Sequence, residues 1–119
     1  MKRVLVVEDD AALRETVAEI LADAGYAVSS AGNGKEALAS ADVERPDVIL
    51  LDLMMPTMNG WQFRAAQRQR PTLAQVPVIV VSACSDMEGE PSLGDVAALF
   101  AKPFDIGELL AGIRLHAGG

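Results

Sequence analysis

Apolar positions along the chain fall into two patterns that alternate. Val4-Leu5-Val6-Val7 is a short, unbroken, mostly β-branched run, as expected of a strand buried on both faces. Leu13, Val17, Ile20, Leu21 and Ala24 then recur at helical spacing, with Arg14, Glu15, Glu19 and Asp23 on the other side and Gly25 as a stop. Tyr26 to Ala31 is a more polar strand, which predicts an edge. Asn33 and Glu36 fit the N-cap and N3 positions of a second helix through Ala37, Leu38 and Ala41. Val48-Ile49-Leu50-Leu51 is a third strand ending at Asp52, followed by a loop over 54–60 and a helix through Trp61, Phe63 and Ala66. Val78-Ile79-Val80-Val81 ends at Ser82, and Ala98-Leu99-Phe100-Ala101 ends at Lys102-Pro103. A last helix has Asp105 and Glu108 as its cap pair and Ile106, Leu109, Leu110 and Ile113 as its inner face.

Five strands alternating with helices predict an α/β, doubly wound parallel sheet with helices on both faces. The helix between the fourth and fifth strands is expected to be short or irregular. Gly89, Pro91 and Gly94 interrupt the pattern there.

Composition narrows the roles open to such a fold. The chain has 119 residues, half of them apolar, which argues for one packed domain over 1–119. Seventeen acidic against ten basic side chains give a formal charge of -7, the wrong sign for nucleic acid or anionic lipid. No apolar run is long enough for a membrane span or a signal peptide, so a cytoplasmic location is expected. The lone Cys84 forms no internal disulfide and the lone His116, expected to be exposed, builds no zinc cluster.

The placement of the acids matters more than their number. In an open α/β sheet the site lies beyond the carboxyl ends of the strands. There this sequence puts Glu8 and Asp9, Asp52, Ser82 and Lys102, each set closing an apolar run. Crowded carboxylates repel unless a cation intervenes. Oxygen ligands without His or Cys favour a hard divalent ion, and Mg²⁺ fits best. A lysine, a hydroxyl and a spare carboxylate complete a set suited to holding a phosphoryl group, which a carboxylate can accept as an acyl phosphate. Asp10 reads as the N-cap of the first helix.

With these residues assembled, the sequence resembles the receiver domain of two-component response regulators. The matching segments are Val4 to Asp10, Asp47 to Pro56, Asn59-Gly60, Val80 to Ala83 and Lys102-Pro103-Phe104, in the family's order and across nearly the whole chain. The resemblance implies a flavodoxin-like sheet in the order 2-1-3-4-5. It implies that Asp52 is the phosphoacceptor and that Glu8 and Asp9 are the acidic pair of the metal site. Asp9, Asp52 and the Met54 main-chain carbonyl then ligate Mg²⁺. Ser82 and Lys102 contact the phosphoryl group, and the Lys102-Pro103 bond is expected to be cis. The implied partners are a sensor histidine kinase or a histidine phosphotransfer protein as donor and a downstream protein effector, with no direct nucleic acid or membrane contact.

Two departures from the family pattern stand out. The switch aromatic, three residues before the lysine, is Leu99 here, and strand alternation turns the adjacent Phe100 to the other face. The stretch from Ser82 to Lys102 is also shorter than is common. They motivate an alternative: a receiver-like docking module whose output does not depend on phosphorylation. Gly32-Asn33-Gly34-Lys35-Glu36-Ala37 formally fits a dinucleotide fingerprint, but it follows the edge strand and reads more simply as a turn and a cap. A dehalogenase-like phosphatase would need an aspartate where Met54 stands.

Overall fold

The computed structural model describes residues 1–53, 57–83 and 96–117, excluding the side chains of Ser82 and Ala83. Strands β1 (Arg3–Val7), β2 (Ala27–Ala31), β3 (Val48–Asp52), β4 (Val78–Ala83) and β5 (Ala98–Lys102) form one parallel sheet in the order β2-β1-β3-β4-β5. Helices α1 (Ala11–Asp23), α2 (Gly34–Val43), α3 (Gly60–Arg68) and α4 (Ile106–His116) are the helices among the described residues. The interrupted segment around Gly89 to Gly94 lies outside them.

The inner strands β1, β3 and β4 carry unbroken apolar runs because each supplies both faces of the sheet. Leu5, Val7, Ile49, Leu51, Val78 and Val80 pack with Ala37, Leu38 and Ala41 of α2 and Phe63 of α3. The alternate residues, Val4, Val6, Val48, Leu50, Ile79 and Val81, pack with Val17 and Leu21 of α1 and Leu109 and Ile113 of α4. Each such side chain contributes about 1.5–3 kcal/mol by leaving water. A one-residue register slip would exchange the two sets, so the pairing of Val4 with Val48 and Leu51 with Val80 is firmly specified.

Polar residues at the helix starts act as the sequence predicts. Asp10, Asn33 and Asp105 accept from the backbone N–H groups of Leu13, Glu36 and Glu108 at 3.1, 2.9 and 2.9 Å. Asn59 and Gln62 form a reciprocal capping box that opens α3. Gly25 follows α1 with φ +100°, the left-handed region that favours glycine.

Several side chains depart from expectation. Ala24 is the exposed C-cap of α1 rather than part of its inner face, and Ile106 is 38% exposed in the first turn of α4. His116 is half-buried rather than exposed. In α3 the buried stripe is Gly60, Phe63, Arg64 and Gln67, so two of its four members are polar. Gln67 Nε2 donates to the carbonyls of Leu73 and Val76 at 2.9 and 3.0 Å, and its Oε1 accepts from Arg64 Nη1 at 2.7 Å. This pairing fastens the turns after α3 to the helix and leads the chain into β4.

Candidate functional site

The register of β1, β3, β4 and β5 determines what meets at the carboxyl edge of the sheet. Val7 pairs with Leu51, Asp52 with Val81, and Ala83 with Lys102. Glu8, one residue past β1, therefore stands beside Asp52 at the end of β3, with Lys102 at the end of β5 reaching across to both. Lys102 Nζ is 2.6 Å from Glu8 Oε1 and 3.5 Å from Asp52 Oδ2. One carboxylate oxygen from each of Glu8, Asp9 and Asp52 lies within 4.8 Å of the others. Glu8 and Asp52 are buried and Asp9 is exposed, so the cluster opens to solvent on the Asp9 side.

Beneath Glu8 and Asp52 is a cavity of about 10 Å³ walled by Val6, Leu13, Val17, Leu50, Val81 and Phe104, roughly the room of one water. This apolar floor explains the electrostatics. Burial pushes the Glu8 carboxyl up to about 7; its hydrogen bond to Asp52 and that residue's charge act the same way, while Lys102 and the Asp10 N–H partly offset them. At Lys102 burial works to lower the pKa, but the Glu8 hydrogen bond and the charges of both carboxylates outweigh it and raise it above 10.5.

Formally, three carboxylates and one ammonium leave a charge of -2 at the cluster. The donor set is oxygen only, with two ligands buried and one facing water, and it fits a hard divalent cation that retains water ligands.

The expected site residues fall into two groups. Glu8, Asp9, Asp52 and Lys102 come together. Ser82 lies in β4 paired with Ala101, at the same edge of the sheet, although its side chain is outside the described residues. Met54 and Cys84 are also outside them. Leu99, in β5, is 49% exposed, while Phe100 packs into the core on the α1 and α4 face, as strand alternation predicts. The Lys102-Pro103 bond is cis.

The glycine-rich stretch after β2 is a turn and a helix cap. Gly34 N–H donates to the Met58 carbonyl at 3.1 Å, and a Cβ on Gly34 would sit 2.9 Å from that oxygen. The glycine is thus required by the close approach of two loops. One residue beside the site was missed in the sequence. Arg14, assigned by periodicity to the outer side of α1, donates from Nη1 to the Glu8 main-chain carbonyl at 2.8 Å. Its position one turn after the acidic triplet was the available signal, and its charge obscured it.

Comparison with known proteins agrees with this geometry. The family model described as response regulator receiver domain matches residues 4–114. Response regulator MprA of Mycolicibacterium vanbaalenii is 37% identical over 114 residues, which cover 94% of this chain and 48% of that protein. The chain thus spans about half the length of the curated relatives it matches. Among solved structures, the chemotaxis protein CheY4 of Vibrio cholerae superposes with a TM-score of 0.87 at 33% identity, covering 98% of each chain. TrrA of Thermotoga maritima, solved in complex with Mg²⁺-BeF, gives 0.87 at 30% identity, covering 97% of this chain and 98% of that one. The chain belongs to the response regulator receiver domain family, a signalling domain of two-component systems.

Proposed function

We propose that this chain is a single receiver unit, over residues 1–119, which accepts a phosphoryl group on Asp52 and thereby changes its affinity for protein partners. The observation that carries the reading is the meeting of Glu8, Asp9, Asp52 and Lys102 at one edge of the sheet, with an ammonium 3.5 Å from the Asp52 carboxylate. An Asp52 oxygen attacks the phosphorus of a phosphohistidine. The P–N bond breaks, the imidazole leaves and an acyl phosphate forms. Lys102 balances the charge gathering on the phosphoryl oxygens, and Ser82, at the end of β4, supplies a hydroxyl to the same group. Glu8, Asp9, Asp52 and the Met54 carbonyl hold Mg²⁺, which when bound neutralises the carboxylates and the incoming phosphoryl oxygens. The domain assists its own phosphorylation and hydrolysis and has no other enzymatic role.

The donor is a sensor histidine kinase or a histidine phosphotransfer protein, and the output is a protein effector in the cytoplasm. The charge of -7 opposes direct contact of this domain with nucleic acid or an anionic membrane. Acetyl phosphate with Mg²⁺ is expected to add one phosphoryl group to the wild type and none to Asp52→Asn, as read by intact-mass spectrometry. Equal labelling of both would end the assignment.

The exposed Leu99 keeps one alternative in view, a docking module indifferent to phosphate. In that case partner affinity would be the same with and without beryllofluoride. A tenfold change, about 1.4 kcal/mol of coupling, removes it.

A further inference from the structure

The main chain at Glu8 is anchored on both sides. Its N–H donates to the Ala31 carbonyl at 3.0 Å, and its carbonyl accepts from Arg14 Nη1 at 2.8 Å. That carbonyl and the Asp9 N–H belong to one planar peptide unit. The guanidinium therefore fixes the plane from which the Asp9 side chain projects. Asp9 depends on this more than its neighbours do. It is exposed, and among the described residues nothing donates to its carboxylate. Glu8 by contrast is held by Lys102 and by the Asp10 N–H.

Gly32, just past β2, supplies the other side of this arrangement. Its N–H is tied to Glu36 Oε1 at 3.3 Å, and a Cβ on it would sit 3.3 Å from Arg14 Nη1. The guanidinium lies along a glycine, which leaves it room to reach the Glu8 carbonyl.

Charge alone sets Arg14 against a cation site, because a guanidinium held on the Glu8 main chain adds a positive charge near the carboxylate cluster. We propose that Arg14 is a positioning residue for metal binding, holding the Glu8–Asp9 peptide so that Asp9 faces Glu8 and Asp52, and that Gly32 is glycine to admit it. The inference rests on the reading of that cluster as a divalent-cation site. It makes a prediction of opposite sign to the electrostatic one. Without the guanidinium, the cluster binds a metal less well although it carries one positive charge fewer nearby.

The test is calorimetric titration of Mg²⁺ into the full chain as wild type, Arg14→Gln, Gly32→Ala and the double variant, each first shown to be folded by a thermal melt in EDTA. Arg14→Gln is expected to weaken Mg²⁺ about tenfold, the low end for partners that orient metal ligands. Gly32→Ala weakens it in the same direction with no change of charge. The double variant is no weaker than Arg14→Gln, since the alanine acts only through the guanidinium. Tighter or unchanged binding in Arg14→Gln overturns the proposal, as does full additivity in the double variant. If Arg14→Gln does not fold, Gly32→Ala decides alone, with equal or tighter binding overturning it. A wild type that takes up no Mg²⁺ removes the cation site itself, and this inference with it. A wild type that binds while the variants match it removes only the role of Arg14.

Discussion

Replacing Glu8 by glutamine removes a carboxyl that the folded protein protonates far more readily than the unfolded chain does. Burial, with Asp52 beside it, pushes the native Glu8 carboxyl from 4.5 up to about 7. Between those two values the native state holds a proton that the unfolded state has released. Stability therefore falls as pH rises through this window and is level again above it. The rise is about 2.5 pH units, and at 1.36 kcal/mol per unit the native state loses roughly 3 kcal/mol by pH 7. That is a large share of the 5–15 kcal/mol typical of a domain. Lys102 stays charged throughout, since its own pKa lies above 10.5, so it adds no slope in this range. Glutamine keeps the size of the side chain and carries no titrating group. The assay is urea unfolding in EDTA from pH 4.5 to 8, followed by the fluorescence of Trp61, the single tryptophan. The expected result is that Glu8→Gln gains on the wild type by up to about 3 kcal/mol across the window, at no more than about 1.4 kcal/mol per pH unit. A difference constant to within about 0.5 kcal/mol, or one that favours the wild type as pH rises, would refute the account of this site.

Other perturbations follow from the same geometry. Lys102→Gln removes the ammonium 2.6 Å from Glu8; calorimetry should then show Mg²⁺ bound roughly tenfold more tightly, and weaker binding would count against cation competition. Gly60→Ala places a Cβ 2.6 Å from Leu53 Cα and 2.9 Å from the Asp52 carbonyl. That should cost about 3 kcal/mol in a thermal melt, and an unchanged midpoint would contradict the packing. Gln67→Leu leaves the carbonyls of Leu73 and Val76 without their donor. A loss of about 3 kcal/mol is expected, together with faster amide exchange over 73–76. Gly25→Ala, at φ +100°, should cost about 1 kcal/mol in urea unfolding.

Much of this architecture is legible in the sequence for identifiable reasons. A strand covered on both faces must be a continuous apolar run, and Val4 to Val7, Val48 to Leu51 and Val78 to Val81 are such runs. Glu8, Asp52 and Lys102 could be read as a site because parallel strands bring their carboxyl ends to one edge. Gln67 and Arg64 escaped notice because periodicity identifies a buried face only when its residues are apolar. Here the helical stripe continues through two polar side chains: Arg64 donates to Gln67, and Gln67 donates to carbonyls in a turn six to nine residues away. Arg14 escaped for a related reason. A charged residue on a helix is assigned to water, and only the folded loop shows that a carbonyl meets it. His116 and Ile106 depend on how α4 seats against the sheet, which spacing within one helix does not encode.

The contact between Lys102 and Glu8 joins residues 94 positions apart. Glu8, Asp9 and Asp52 are all synthesised in the first half of the chain, whereas their countercharge arrives with the last strand. Until β5 docks, three carboxylates crowd one edge of an incomplete sheet with no lysine between them. A chain emerging from the ribosome therefore carries the acceptor long before it carries the complete site. Under the proposed function, the acceptor gains its ammonium partner only when β5 docks, so charge balance at the phosphoryl group belongs to the fully folded domain.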